Sequence, residues 1–228
     1  MIRVENIETW GFEHAIRGMR NPMNSWDKSD SAMCLRDMDD CKTEPACHCP
    51  KDGDFEADWF CIGKNDLCLM KRLFKGGSEH RKYLRQIFVS MDITAPLYWW
   101  KEFDTYKVGT AANSCSTMHK IHSKPFTLDD FSHDRLDYTS MCCLETLIDH
   151  LNYKREEYNR KKDKNEWWNM IQLLPTSYNQ KRTVTMNYEN VVSMIHQREN
   201  HKLDEWNEFV DILKGLPYVK EIMGKDKE

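Results

Sequence analysis

Near the C-terminal end, "LLPTSYNQKRTVTMNYENVVSMIHQRENHKLDEW" sets an amide and a guanidinium at a fixed interval, Asn187 and Arg198. "KRTVTMNY" alternates like a strand and "ENVVSMIHQR" has helical spacing. The strand therefore delivers Asn187 to a helix start, and the same helix ends near Arg198. An amide at that place can read the edge of a ring, having both donors and an acceptor. An arginine can grip a phosphate or an ionised ring with a planar fork of donors. The plain alternative is an ordinary helix cap and a surface arginine.

Two other stretches carry chemistry-bearing side chains. Residues 95–119, "APLYWWKEFDTYKVGTAANSCSTMH", pass from aromatics into small and polar residues, and spacer, turn and ligand cradle are all open to them. Tyr98, Trp99 and Trp100 form an aromatic helical stripe, a core pattern. Cys115 has no assignable basic partner to lower its pKa, so it is not read as a nucleophile. The second stretch, "CLRDMDDCKTEPACHCPKDGDFEADWFC", holds Cys34, Cys41, Cys47 and Cys49, with Cys61 and Cys68 close behind. Those first four thiolates could bind one structural zinc, although the spacing matches no standard ribbon or knuckle. Scattered free thiols are the alternative. There is no Gly-rich phosphate loop, and "KGG" at 75–77 reads as a helix stop. A lone histidine such as His150 reads as structural.

The elements that must position these groups follow from periodicity. "MIRVENIETW" reads as a strand, and "GFEHAIRGMR" as a helix burying Phe12, Ala15, Ile16 and Met19. Residues 34–61 show little periodicity and read as a Cys-rich insertion. A helix is expected from an Asn65 cap through "NDLCLMKRLFKGG". "EHRKYLRQIFVSMDIT" passes from a helical turn into a strand ending near Thr94, and Pro96 suits a first helical position. "TLDDFS" can open a short helix. Thr139 to Leu174 is the longest helical pattern; its charged middle is a solvated face or a bend, and Pro175 ends it. "KLDEWNEFVDILKGL" is a last helix burying Leu203, Trp206, Phe209, Val210 and Leu213. Helices outnumber strands, which implies an α+β domain over residues 1–228 with a modest mixed or antiparallel sheet.

Composition narrows the function classes. A net charge of −4 and a pI near 6.2 leave no basic footprint for nucleic acid. No apolar run approaches the roughly 18 residues of a membrane span. The charged N-terminus does not resemble a secretory signal, so a cytoplasmic location with reduced thiols is expected.

Taken together, Leu174-Pro175, Thr185-x-Asn187 and Arg198 resemble a motif of the flavin-dependent thymidylate synthases. Counting on from Ala95-Pro96, the family's Arg-His-Arg triplet falls on Thr105, Tyr106 and Lys107. With one inserted residue, its later Asn and Ser fall on Asn113 and Ser116. "LMKRLFKGGSEH" resembles the helix before a flavin-contacting histidine, with His80 or Ser78 in that place. The resemblance implies an α+β homotetramer holding FAD, and conversion of dUMP to dTMP with methylenetetrahydrofolate and NADPH. It assigns Arg198 as catalytic, with His80, Thr105, Tyr106, Lys107, Asn187 and Ser193 toward the cofactor. Glu102, Thr110, Asn113, Ser114, Ser116 and Arg198 face the nucleotide, so residues 105–119 become a ligand-binding loop.

The chain also departs from the pattern. Only Lys107 of the triplet stays cationic, Met118-His119 replaces Arg-Tyr, and Ile171 stands where an arginine is expected. Losing two charged partners of a buried phosphate would weaken binding about a hundredfold. Either Arg182, Lys120 or Lys124 substitutes, or the substrate differs. A non-catalytic module on the same fold, docking a partner through the Cys-rich segment, is the competing expectation.

Overall fold

In the computed structural model, which describes residues 2–33 and 60–224, a four-stranded antiparallel sheet carries the molecule. Its strands are β1 (Arg3–Trp10), β4 (Phe88–Pro96), β6 (Asn179–Asn187) and β5 (Thr110–Ser114), in that spatial order. The small strands β2 (Ala32–Met33) and β3 (Phe60–Cys61) pair with each other across the Cys-rich segment. Period-two alternation decides which face is buried. Val89, Met91, Ile93 and Ala95 of β4 are fully buried, as are Val184 and Met186 of β6. The intervening side chains form a polar outer face, where Asp92 accepts from Thr183 at 2.6 Å and from Asn6 at 2.9 Å.

Helices cover the apolar face: α1 (Phe12–Arg20), α2 (Lys64–Lys75), α3 (Leu97–Phe103), α7 (Tyr188–Arg198), α8 (Asp204–Lys214) and α9 (Val219–Met223). Trp99 packs on Trp206 and Phe209 at centroid distances of 4.7 and 5.2 Å, and Trp99 and Trp100 are both buried core, as the stripe implied. A second apolar cluster joins Phe126 and Phe131 to α5 (Tyr138–Lys161) and α6 (Lys164–Leu173). The expected α+β class and sheet are present.

Several boundaries differ from the sequence reading for physical reasons. α2 begins two residues early, with Gly63 in place of Asn65 as its N-cap, because Asp30, far away in sequence, accepts from the backbone N–H groups of Asn65 and Asp66. Pro96 remains the last strand residue and caps α3 instead of opening it. "TLDDFS" holds only a short 3-10 turn, fixed by a capping box between Thr127 and Asp130. The long helical pattern breaks at Lys162, which is left-handed at φ 55°, and Asp163 caps α6.

Candidate functional site

Asn187 is the N-cap of α7, its side chain accepting from the Asn190 backbone N–H at 3.1 Å. Asn190 in turn donates to the Val108 carbonyl at 2.8 Å and the Thr110 hydroxyl at 2.6 Å. The entry to β5 is thereby tied to the first turn of α7. Between those two anchors lies Gly109, at φ +77°, where an added Cβ would stand 2.5 Å from Asn187 Nδ2. Both the left-handed backbone and the lack of space demand glycine there.

At the other end of α7, Arg198 is held from several sides. Its Nε donates to the Tyr106 hydroxyl at 2.9 Å and its Nη1 to Glu102 at 2.6 Å. The guanidinium lies 4.7 Å from the Trp206 ring centroid and 5.5 Å from that of Tyr106. Glu102 also accepts from the Trp206 indole at 3.0 Å, and His201 stands 3.2 Å from it. A guanidinium fixed by a carboxylate, a phenol and two ring faces cannot drift, yet its side chain keeps 17% exposure. Such a group can present preorganised positive charge to a ligand.

Around this centre several of the anticipated residues gather. Thr105 bonds the Glu102 carbonyl at 2.7 Å. Tyr106 also donates to Gln197 at 3.1 Å, and the Ser193 hydroxyl accepts from Gln197 at 3.0 Å. Thr110 instead bonds Asn190 at the opposite end of α7, and Lys107 sits exposed in the segment between the two ends. Asn113 and Ser114 lie further along β5, opposite Thr183 and Arg182, and Ser116 uses its hydroxyl to cap α4 (Thr117–Lys120). The stretch expected to be a binding loop is thus partly an edge strand, because alternate pairing with β6 satisfies its backbone. Glu102, expected on the nucleotide, holds Arg198.

His80 stands apart from that group. It lines a cleft of about 1100 Å³ between α1, α2 and the turn before β4, and Ser78 is not among the lining residues. Met19, Leu69, Leu73 and Tyr83 give apolar walls, with Arg72 and Lys82 also lining it. Its size reaches the upper range of ligand pockets, suited to a large planar cofactor with an anionic part. Asn187 and Arg198 do not line it. Arg81 links the two regions, donating to Glu189 of α7 at 2.8 and 3.0 Å.

Of the candidate replacement cations, Arg182 is paired with Asp104 at 2.7 Å and stacked on Trp100 at 4.2 Å. Lys124 is paired with Asp130 at 2.7 Å. Cys115 is exposed, and its backbone bonds Lys181 and Gln180. The zinc candidates Cys34, Cys41, Cys47 and Cys49 fall outside the described residues, among which no cluster of three metal-ligating side chains occurs. No helix of the described residues is long and apolar enough to cross a membrane. Sequence reasoning missed Asn190, Gly109, His201 and Trp206 as parts of the site. The signals were "KVGT", a glycine among turn residues, and "NYEN", two amides three apart at a helix start.

Two solved structures share this architecture. Both are of the flavin-dependent thymidylate synthase ThyX from Helicobacter pylori with FAD and dUMP. One has a TM-score of 0.62 at 13% identity, covering 96% of this chain and 97% of that one. The other has a TM-score of 0.63 at 14% identity, covering 98% and 97%. The chain therefore has the fold of flavin-dependent thymidylate synthases, as the motif resemblance implied. No family model and no curated protein matches the sequence.

Proposed function

We propose that this chain is a divergent flavin-dependent thymidylate synthase that methylates dUMP with methylenetetrahydrofolate, using FAD and NADPH. The observation that carries the reading is the caged Arg198 guanidinium at the C-terminal end of α7, with the Asn187 cap and the Asn190 clasp on Thr110 at the N-terminal end of the same helix. The reading is also supported by solved structures of the same fold that hold FAD and dUMP.

In this account FAD, when bound, supplies the electron transfer that the side chains cannot. The chain's residues bind and orient. The cleft at His80 takes part of the cofactor against its apolar walls. Gly109 lets backbone approach closely beside Asn187. Arg198 has bonds to Tyr106 and Glu102 through Nε and Nη1, and Nη2 is directed to negative charge developing on the pyrimidine ring. The Glu102 carboxylate fixes the plane of that guanidinium. Short groups at Thr110, Asn113 and Ser114 face the nucleotide. We assign the cofactor to a homotetramer, in which neighbouring copies complete the site, within a cytoplasmic enzyme of one domain.

Reconstitution tests the reading. Purified protein incubated with FAD and passed over a desalting column should retain flavin absorbance, and dUMP should perturb those bands. A colourless eluate would remove the proposal. In its place would stand a non-catalytic module, which the absence of the motif arginines at Thr105, Met118 and Ile171 favours.

A further inference from the structure

The turn between α5 and α6 packs against α4 and leaves a cleft of about 320 Å³, separate from the residues around Arg198. His119, His122, Lys162 and Lys164 line it, with Tyr158 and Trp167 as aromatic walls, and no carboxylate is among the lining residues. The nearby acids are engaged elsewhere. Glu157 pairs with Arg160 and Lys161, and Glu166 with Lys154 at 3.1 Å. Asp163, between the two lysines, caps α6 by accepting from the Asn165 backbone N–H at 2.9 Å. Asp130 is taken by Lys124. Among the described residues, no ion pair neutralises Lys162 or Lys164; Lys162 instead lies 5.3 Å over the Tyr158 ring.

The cleft is built as well as charged. Trp167 donates its indole N–H to the Met118 carbonyl at 3.0 Å, fixing α4 against α6. The left-handed Lys162 closes the helix by donating its backbone N–H to Tyr158. His122 packs edge-on against Tyr158 at 4.8 Å, and its Nδ1 is buried without a hydrogen-bond partner. An orphaned buried ring nitrogen beside unpaired lysines is a costly arrangement unless something anionic joins it. Burial holds the His122 pKa below its usual value, and the nearby charges of Lys162 and Lys120 lower it further. An anion would offset those charges.

We propose that this cleft is a phosphate-binding site, taking a free phosphate or the phosphomonoester of a small nucleotide on Lys162, Lys164 and the two histidines. Its volume lies at the lower end of ligand pockets, which suits a single phosphate ester rather than a dinucleotide. The lysines act as point charges, giving attraction without the bidentate geometry of arginine. The inference stands on its own geometry and does not require flavin chemistry.

Calorimetric titration with inorganic phosphate, dUMP and deoxyuridine, on the full chain, tests it. The wild-type protein should bind inorganic phosphate and dUMP but not deoxyuridine. The double variant K162N/K164Q should lose at least about tenfold in phosphate affinity. Asparagine tolerates the left-handed position, so folding should survive, as circular dichroism would verify. The His122 ring nitrogen signals should move on adding phosphate to wild type and stay still in the variant. Loss of affinity for both dUMP and phosphate in the variant would identify a nucleotide as the source; loss for phosphate alone would identify the free ion. The inference is overturned if wild type binds neither, if the folded variant binds both unchanged, or if His122 is silent. Flavin retention with unchanged phosphate and dUMP affinities in the variant would sink this site while leaving the proposed synthase activity standing.

Discussion

Arg20 and Arg198 both end a helix and both pair with a carboxylate at 2.6 Å, yet their surroundings assign them opposite work. The Arg20–Asp66 pair is sealed: side-chain exposures are 5% and 0%. Arg20 spends its other donors on the Ser25 and Lys28 carbonyls, and Asp66 accepts from Ser29 and Ser31. The pair therefore stitches the segment before the Cys-rich stretch onto α1 and α2. Arg198 is caged but not sealed, since its side chain keeps 17% exposure and its bonds to Tyr106 and Glu102 use only Nε and Nη1. The lesson is that an ion pair whose guanidinium is bonded through all three nitrogens inside the protein holds structure. One with a donor to spare can meet a ligand.

The largest effect should come from breaking the sealed pair. Asp66→Ala leaves Arg20 buried without its counter-charge and should cost about 3–5 kcal/mol of stability in chemical denaturation. A loss below about 1 kcal/mol would mean that the pair is not buried as described. Arg198→Ala should show the reverse profile. Turnover should fall roughly 100-fold to 1000-fold, the scale for a preorganised charge stabiliser, with the unfolding midpoint nearly unchanged. If both variants lost stability alike, the contrast between the two arginines would be wrong.

Gly109→Ala sharpens the comparison further, because it perturbs the open site through the backbone alone. The new Cβ would meet Asn187 Nδ2 at 2.5 Å on a left-handed backbone. Stability should drop by about 1–3 kcal/mol and ligand retention should weaken more than for Gly77→Ala. At Gly77 the backbone is also left-handed but an added Cβ meets nothing. Equal effects at the two glycines would remove the close approach as the cause.

The smallest effect is in pH dependence. Burial opposes ionisation of Asp66, but hydrogen bonds from Ser31, Ser29 and Arg20 outweigh it, and the folded pKa falls below its ordinary value of 3.8. A depressed carboxylate contributes stability above the unfolded pKa and loses it as pH falls through the folded one. Acid unfolding monitored below about pH 4 should therefore be shallower in a folded Asp66→Asn variant than in wild type. An identical acid limb would assign that dependence to other carboxylates.

What the sequence made legible was local. The strand into Asn187, the helix ending at Arg198 and the core role of Trp99 and Trp100 follow from periodicity, because each depends on neighbours a few residues away. What stayed hidden depends on distant partners. Asp30 caps a helix thirty-odd residues on, and nothing in its own surroundings announces that. The polar run 105–119 carries no alternating apolar signal, so β5 was invisible until β6 was placed beside it. Arg182 and Lys124 are suggested as ligand groups by residue type alone, and Ser116 by the motif resemblance. Tertiary partners had already claimed the first two, and a helix cap the third. The cationic turn at Lys162 reads in sequence as either a solvated face or an exposed bend, and only the fold brings His122 and Trp167 to it.

The most direct test of the central claim is to incubate the protein with FAD, NADPH, methylenetetrahydrofolate and dUMP and weigh the nucleotide product. Wild type should convert dUMP to dTMP, gaining the mass of one methylene unit, while Arg198→Ala at equal flavin content should not. No dTMP from flavin-loaded wild-type protein, or equal product from both, would contradict the role assigned to the caged guanidinium.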